Sequence, residues 1–143
     1  MQVSQISIFI ENRSGRLAAI TSLLGGAGIN IRALSLADTS DFGILRLIVD
    51  KPEAACLLLK EQGFTYSLTD VVAVEVPDQP GGLAMVLNRL HDGGINVEYM
   101  YGFVEKSADK AVLVFRFDDV KNAVKHLTAG GIKVLKSREV LAL

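Results

Sequence analysis

The chain has 143 residues, of which 50% are hydrophobic and 22% are charged, and its 15 Lys and Arg nearly balance 16 Asp and Glu to a net charge of −1. This composition is typical of a folded globular protein, and the near-neutral charge without a basic stripe argues against a nucleic-acid partner. The longest apolar run, residues 54–59, is far shorter than the roughly 20 residues of a membrane-spanning helix. The first residues, MQVSQISIFIENRSG, lack the pattern of a signal peptide. We therefore expect a cytoplasmic protein without a membrane segment.

The first half of the chain changes its apolar periodicity in a fixed order. Alternating Ile6, Ile8 and Ile10 predict a strand. The helical spacing of apolar residues from Leu17 to Leu24 predicts a helix, which should end in a left-handed residue at Gly25-Gly26. Two strands joined by the polar turn DTSD, a second helix and a short apolar stretch follow. The predicted strands are 3–10, 29–37, 42–49 and 64–68, and the predicted second helix is 52–62.

The second half repeats this order. Residues 77–100 align with residues 11–34 at a constant offset of 66, and seven of the 24 positions are identical, where chance gives about one or two. The match resumes at offset 68, so that two extra residues fall in the turn EKSADK. The predicted strands are 71–76, 95–104, 111–117 and 132–136, the helices are 83–90 and 120–129, and an apolar extension follows at 140–143.

The order βαββαβ, found twice, predicts an α+β protein made of two ferredoxin-like units, 1–70 and 71–143. Each unit should have an antiparallel four-stranded sheet with its helices on one face. Strands 29–37 and 95–104 should be the outer strands of these sheets. Their apolar residues, Ile31, Leu34, Val97 and Tyr99, predict self-association as a homodimer, unless the other unit of the same chain covers those edges.

The residue types that perform catalysis or bind metals are sparse. The only cysteine, Cys56, is expected to fill space in the core, and His91 and His126 have no partner at a metal-ligand spacing. The GGAG segment at 25–28 follows a helix, whereas a phosphate-binding loop precedes one. We therefore expect no catalysis, no cofactor and no metal.

Two polar turns carry more information, ENRSG at 11–15 and PDQPG at 77–81. Each precedes a predicted helix, whose free N–H groups and dipole favour an anion such as a carboxylate. Helix capping together with a glycine that turns the backbone is the alternative explanation. Asn30 and Asn96 begin strands within apolar runs, so each amide needs a polar partner or solvent.

The turn ENRSGRL followed by GAGINI, and DQPGGL followed by DGGINV, resemble the first half of an ACT domain. The resemblance covers both units and implies a βαββαβ fold that senses small molecules, most often amino acids, at interfaces between domains. The first unit is most similar to the serine-sensing ACT domains of phosphoglycerate dehydrogenases. In those domains the turn and the strand supply asparagines that match Asn12 and Asn30, whereas a histidine of the turn falls on Ile10 and a proline on Ser14.

The resemblance implies a sensor that binds an amino acid, acts in the regulation of amino-acid metabolism and signals through its oligomeric state or a partner enzyme. The alternatives are a protein-interaction or dimerisation module of a biosynthetic enzyme and, with less support, a small ferredoxin-like enzyme. Because ionised Asp78 repels a carboxylate and neutral Asn12 does not, the first turn should be the better carboxylate site. The predicted ligand-binding residues are Asn12, Arg13, Ser14, Gly15, Asn30 and Ile31 in the first unit, and Asp78, Gln79, Pro80, Gly81, Asn96 and Val97 in the second.

Overall fold

The computed structural model describes residues 2–38, 41–105, 107 and 109–143. The predicted turns DTSD and EKSADK include Thr39, Ser40, Lys106 and Ala108, which lie outside the described residues. The elements in chain order are β1 Val3–Glu11, α1 Arg16–Gly26, β2 Ile31–Asp38, β3 Phe42–Val49, α2 Pro52–Glu61, β4 Thr65–Pro77, α3 Gly82–Asp92, β5 Val97–Gly102, β6 Lys110–Phe117, α4 Val120–Ala129, β7 Val134–Leu135 and α5 Ser137–Leu141. Within the described ranges, every helix is too short or too polar to cross a membrane.

The chain divides into two compact units. The amino-terminal unit is Ser4–Thr69, and the carboxy-terminal unit is Asp70–Leu143 together with the first residues of the chain. The two strands predicted at 64–68 and 71–76 are one strand, β4. Neither glycine nor proline interrupts the residues between them, and Thr69 and Asp70 continue the extended backbone.

The amino-terminal unit builds its core from alternate residues of its strands. β3 pairs antiparallel with β1 on one side and with β2 on the other. Ile6, Ile8 and Ile10 of β1 pack with the helix residues Ile20 and Leu24 in one buried cluster. The predicted α+β fold is confirmed here, because period-two strands bury one face against the apolar stripes of the helices.

The carboxy-terminal unit repeats this construction. Its strand order is β5-β6-β4-β7, antiparallel throughout. Alternate β4 residues, Val72, Val74 and Val76, join Val86 and Leu90 of α3 in a second buried cluster. As predicted, β2 and β5 lie at the outer edges of the strand order.

The left-handed residue that ends α1 is Gly28, with φ of 74°, and not Gly25 or Gly26 as predicted. After α3 it is Gly94, with φ of 69°, which belongs to the glycine pair 93–94 where the repeat predicts it. The N–H of Ile29 donates to the carbonyl of Leu24 at 3.0 Å, as expected for a Schellman motif. Helix α1 therefore includes both Gly25 and Gly26, and Ile29, which donates this closing bond, is buried in the core.

The first apolar residues of the two predicted helix stripes, Leu17 and Leu83, are each 37% exposed. Both lie in the first turn of their helices, α1 and α3. The apolar extension at 140–143 begins inside a short helix, α5, in which Val140 is buried.

Charged groups support the start of α5. The N–H of Lys136 donates to Oε1 of Glu139 at 3.1 Å, and Nζ of Lys133 lies 3.1 Å from Oε2 of the same carboxylate. These contacts lower the pKa of Glu139, with the Lys136 hydrogen bond as the largest cause. The hydrogen bond to Glu139 is the main reason that the pKa of Lys133 is raised. The carboxylate thus satisfies a backbone donor that a helix start leaves open.

Candidate functional site

The two turns ahead of α1 and α3 have the same backbone geometry. In the first, the N–H of Arg13 donates to the carbonyl of Glu11 at 2.8 Å, and in the second the N–H of Gln79 donates to the carbonyl of Pro77 at 2.9 Å. Each turn ends in a left-handed glycine immediately before the helix, Gly15 with φ of 85° and Gly81 with φ of 84°. The identical glycines are therefore required by the backbone, since other residues rarely adopt this conformation.

These glycines leave the helix starts without a side-chain cap. The N-cap residues are Gly15 and Gly81, and neither helix start has a capping hydrogen bond from a side chain. Of the alternative explanation, only the glycine that turns the backbone therefore applies. The first helical bond of α1 is from Ala19 to the carbonyl of Gly15. Within the described ranges, the N–H groups of Leu17 and Ala18 have no hydrogen-bond partner. Two backbone donors and the positive end of the helix dipole are thus available to an anion.

A cavity of about 240 Å³ adjoins the first turn. Its polar lining comes from the turn and the helix start, and its apolar lining comes from residues of β1, α1 and β2. The lining residues are Ile10, Glu11, Asn12, Arg13, Arg16, Leu17, Leu36 and Gly43. The structure therefore brings the predicted residues Asn12 and Arg13 together at one cavity, whereas Ser14 and Gly15 are exposed beside it.

Arg16 is the residue of this cavity that the sequence analysis missed. Its Nε atom is buried and has no hydrogen-bond partner among the described residues, and the guanidinium carbon lies 5.4 Å from the centre of the Phe64 ring. Arg16 also lines a second cavity of about 210 Å³ that includes Phe9, Phe42 and Phe64. A guanidinium has five donors, and a ring contact satisfies none of them as a hydrogen bond would.

Arg13 has a different environment. Its Nε lies 2.9 Å from Oε2 of Glu11, and its side chain is 65% exposed. Such an exposed ion pair contributes little to stability, but it places a carboxylate next to Arg13, which with Arg16 makes up the cations among the described residues of the cavity lining. The charge of Arg13 is thereby compensated within the turn.

Asn30 lies at the other end of the amino-terminal unit. Glu11, which precedes Asn12, pairs with Phe42 at the start of β3, and Ile31, which follows Asn30, pairs with Val49 at its end. Seven steps along a strand span about 23 Å. The structure therefore does not bring Asn12 and Asn30, or Ile31, together within one unit.

The backbone of Asn30 is held by an aspartate. Its N–H donates to Oδ1 of Asp50 at 2.9 Å, and the N–H of Asp50 donates to the carbonyl of Asn30 at 3.1 Å. Asn96 and Asp118 repeat this pair at 3.1 and 3.3 Å. Both asparagine side chains are exposed, so solvent is available to their amides.

The second repeat has other residues where the first has Arg16, Leu36 and Phe64 at its two cavities. The position equivalent to Arg16 is Gly82, where an added Cβ would overlap the carbonyl oxygen of Pro77. The equivalents of Leu36 and Phe64 are Gly102 and Ile132. Asp78, Gln79, Pro80 and Gly81 are exposed, and Val97 is half-buried. The repeats therefore share a turn, but the first alone places a cation there.

Residues suited to metal binding do not cluster in the part of the chain that the structure describes. The ring of His126 packs next to Gly93, where a Cβ would lie 2.8 Å from it. Cys56 packs against the amino-terminal core, in line with its expected filling role, and partial burial is the main cause of its raised pKa. A raised pKa disfavours the reactive thiolate.

Two ferredoxin-like units with matching turns before their first helices define a tandem βαββαβ protein. The chain belongs to the ACT domain pair family, whose model matches residues 1–142. This membership covers both repeats and agrees with the resemblance of the segments GAGINI and DGGINV, and the turns before them, to ACT domains.

Solved structures share this fold. Protein BT0572 from Bacteroides thetaiotaomicron is 38% identical, with a TM-score of 0.93 over 100% of this chain and 98% of that chain. The regulatory subunit of aspartate kinase from Thermus thermophilus is 18% identical, with a TM-score of 0.63 over 88% of this chain and 91% of that chain. No curated protein sequence matches the chain.

Proposed function

We propose that this protein is a small-molecule sensor that binds an amino acid and regulates amino-acid metabolism without catalysing a reaction. The observation that carries the proposal is the cavity at the first turn, where unpaired backbone donors of α1 adjoin Asn12 and Arg16. Membership of the ACT domain pair family supports it. So does the likeness in fold to a regulatory subunit of aspartate kinase, which makes an enzyme of amino-acid metabolism the partner that we propose.

The proposed ligand contacts follow from the groups of an amino acid. The α-carboxylate accepts from the N–H groups of Leu17 and Ala18, because an anion is stabilised at a helix N-terminus. The ammonium group donates to the side-chain carbonyl of Asn12. The second turn is the weaker site, since Asp78 would repel the carboxylate.

We place the ligand at an interface between ACT domains, which we take to be residues 1–70 and 71–143. Asn12 and Asn30 lie at opposite ends of one unit, so a single ligand contacts both asparagines only when two domains meet. This arrangement is the one that the family resemblance implies. The cytoplasmic location stays a prediction.

Serine is not the ligand that we propose. The histidine of serine-sensing turns falls on Ile10, which is 6% exposed and belongs to the core cluster. An apolar side chain in the core offers no polar contact to a serine hydroxyl. The similarity of the first unit to serine-sensing domains therefore does not extend to the specificity.

Titration calorimetry of the full chain with each common amino acid tests the proposal. Asn12→Ala and Asn30→Ala should each weaken binding by roughly 5- to 150-fold, the loss of one hydrogen bond to a charged group. Asn88→Ala, which removes an exposed amide from α3, is the matched control and should bind normally. Failure of every amino acid to bind below millimolar concentration would contradict the sensor, and a larger loss in Asp78→Ala or Asn96→Ala would move the main site to the second repeat.

We also propose that the chain forms a homodimer through β2. Leu34 and Leu36 of this edge strand are 45% and 48% exposed, which leaves apolar surface beside unpaired backbone groups. Light scattering should give twice the mass of one chain, and Leu34→Lys should reduce it to one. Leu57→Lys, at a leucine of α2 that is 61% exposed, is the control and should stay dimeric. A wild-type mass equal to one chain would contradict the dimer.

A further inference from the structure

We propose that Arg16 binds a second anionic group of the ligand, so that the ligand of the first repeat is an acidic amino acid such as aspartate or glutamate. This inference rests on the proposed sensor function and names the ligand class of the same cavity. It concerns a residue that lies outside the turn motif itself.

The burial and the missing polar partner of the Arg16 guanidinium, within the described part of the chain, favour an anionic ligand group. The guanidinium is partly buried, its Nε is fully buried, and among the described residues it has neither a hydrogen bond nor an ion pair. Its guanidinium lies over the ring of Phe64. A buried donor without a partner is unfavourable, and a charged one more so. A carboxylate in the adjoining cavity would supply two acceptor oxygens to the planar fork of donors.

The charge at this cavity also favours an anion. Among the residues that the structure describes, Arg13, Arg16 and Glu11 are the charged side chains of its lining. Since Glu11 pairs with Arg13, the uncompensated charge among these three is that of Arg16. The cavity therefore favours a ligand that brings negative charge close to Arg16, and a zwitterion with a neutral side chain is neutral overall.

The anionic group proposed to bind Arg16 is distinct from the α-carboxylate of the ligand. Both repeats have the same turn, the same left-handed glycine and the same Leu-Ala pair after the first helical residue. These shared backbone donors suit the carboxylate that every amino acid has. The Arg16 guanidinium is additional to them and occurs in the first repeat alone, since Gly82 stands at the equivalent position. The additional donor thus matches an additional acceptor, the side-chain carboxylate.

The experiment compares ligands that have the same shape and different charge. Aspartate and asparagine, and glutamate and glutamine, are titrated into the full chain by calorimetry. The acidic member of one pair should bind roughly 10- to 150-fold more tightly, as expected for hydrogen bonds to a charged group. Arg16→Gln should abolish this preference, so that the acidic and the neutral member of the pair bind with equal affinity. Arg16→Lys should restore part of it, because a lysine keeps the charge without the fork.

Two other variants complete the design. Arg13→Gln should reduce the preference less than Arg16→Gln does, because Arg13 is exposed and already paired. Arg138→Gln, which removes an exposed charge from α5, should leave the preference unchanged and controls for the net charge of the protein. The preference should also fall as the salt concentration rises, although a partly buried pair is screened less than an exposed one.

The outcomes separate the two proposals. Equal affinity for the acidic and neutral ligands of both pairs would overturn the role of Arg16 and leave the sensor proposal intact. So would an Arg16→Gln variant that melts at a lower temperature but keeps the full preference, since Arg16 would then serve only to pack on Phe64. Binding of no amino acid at all would overturn both.

Discussion

The turns before α1 and α3 have nearly the same backbone and different side chains around it. Both contain a bond from the third turn residue to the first, and both end in a left-handed glycine within 1° of the same φ, 85° and 84°. After that glycine, the first repeat continues with Arg16 and the second with Gly82. The comparison teaches that a duplicated backbone does not duplicate the side chains around it. In our proposal, the side chain at the first helical position decides which turn holds an anion strongly.

The core is where the two units should differ least, and its leucines give the largest expected effects. Leu24 and Leu90 occupy equivalent positions at the ends of α1 and α3 and are 0% and 1% exposed. Each Leu→Ala change should lower the free energy of unfolding by about 2–5 kcal/mol, and the two losses should be similar. Urea denaturation of the full chain measures both. Losses that differ by more than about 2 kcal/mol would show that the repeats share the geometry of their turns but not the energetics of their cores.

Gly82→Ala tests the difference at the helix start. The new Cβ would overlap the carbonyl oxygen of Pro77, a backbone atom that cannot rotate away. We expect a loss of about 3 kcal/mol, at the upper end of the usual overpacking range. Arg16→Ala, at the same position of the first repeat, is the control and should cost about 1 kcal/mol or less, the value of its contact with Phe64. A Gly82→Ala protein as stable as the wild type would show that the second turn has room for a side chain.

Gly15→Ala and Gly81→Ala test the similarity of the turns. Each glycine has a positive φ, and a Cβ added at either would meet no atom within 4 Å. The cost should therefore be purely conformational, about 1–2 kcal/mol in each repeat. Denaturation curves of the two variants should nearly superimpose. A much larger loss in one would mean that a neighbouring group, and not the backbone, requires that glycine.

The smallest effect is expected at α5, whose equivalents by the offset of 68, residues 69–73, belong to β4. The pKa of Glu139 is lowered in the folded protein, chiefly by the Lys136 N–H and then by Lys133. Its contribution to stability is therefore present above its ordinary pKa and is lost as the pH falls through the folded value. The melting temperature should fall slightly more on acidification in the wild type than in Glu139→Gln. Parallel pH profiles for the two proteins would contradict this.

The fold could be predicted because periodicity and turns report on local structure. Alternating isoleucines, helical stripes and repeated glycines placed the strands and the four longer helices, and the α+β fold of two repeats is confirmed. The exit from α1 was misplaced because a glycine pair marks a helix end without showing which residue is left-handed, and the bond from Ile29 to Leu24 selects Gly28. The 37% exposure of Leu17 could not be read from spacing, because helical spacing places a residue on one face of the helix and does not show what covers it.

The candidate site was harder to predict than the fold. The turn and Asn12 were visible as polar residues before a helix, and their role in binding stays a prediction. Arg13 was predicted to bind the ligand because it lies inside the turn motif, but it forms an ion pair with Glu11 two residues earlier. Arg16 resembled an ordinary helix-start residue. Its comparison with Gly82 in the repeat alignment was the signal available in the sequence, while its lack of a partner is a property of the three-dimensional packing.

The close approach between Gly82 and the Pro77 carbonyl has an evolutionary consequence. A duplicated gene can restore a lost side chain by one substitution only where the backbone still has space for a Cβ. At position 82 it has none, so a mutation from glycine to arginine would damage the domain before it could provide a guanidinium. In our proposal, an arginine site in the second repeat like that of the first would therefore require the Pro77 backbone to move first.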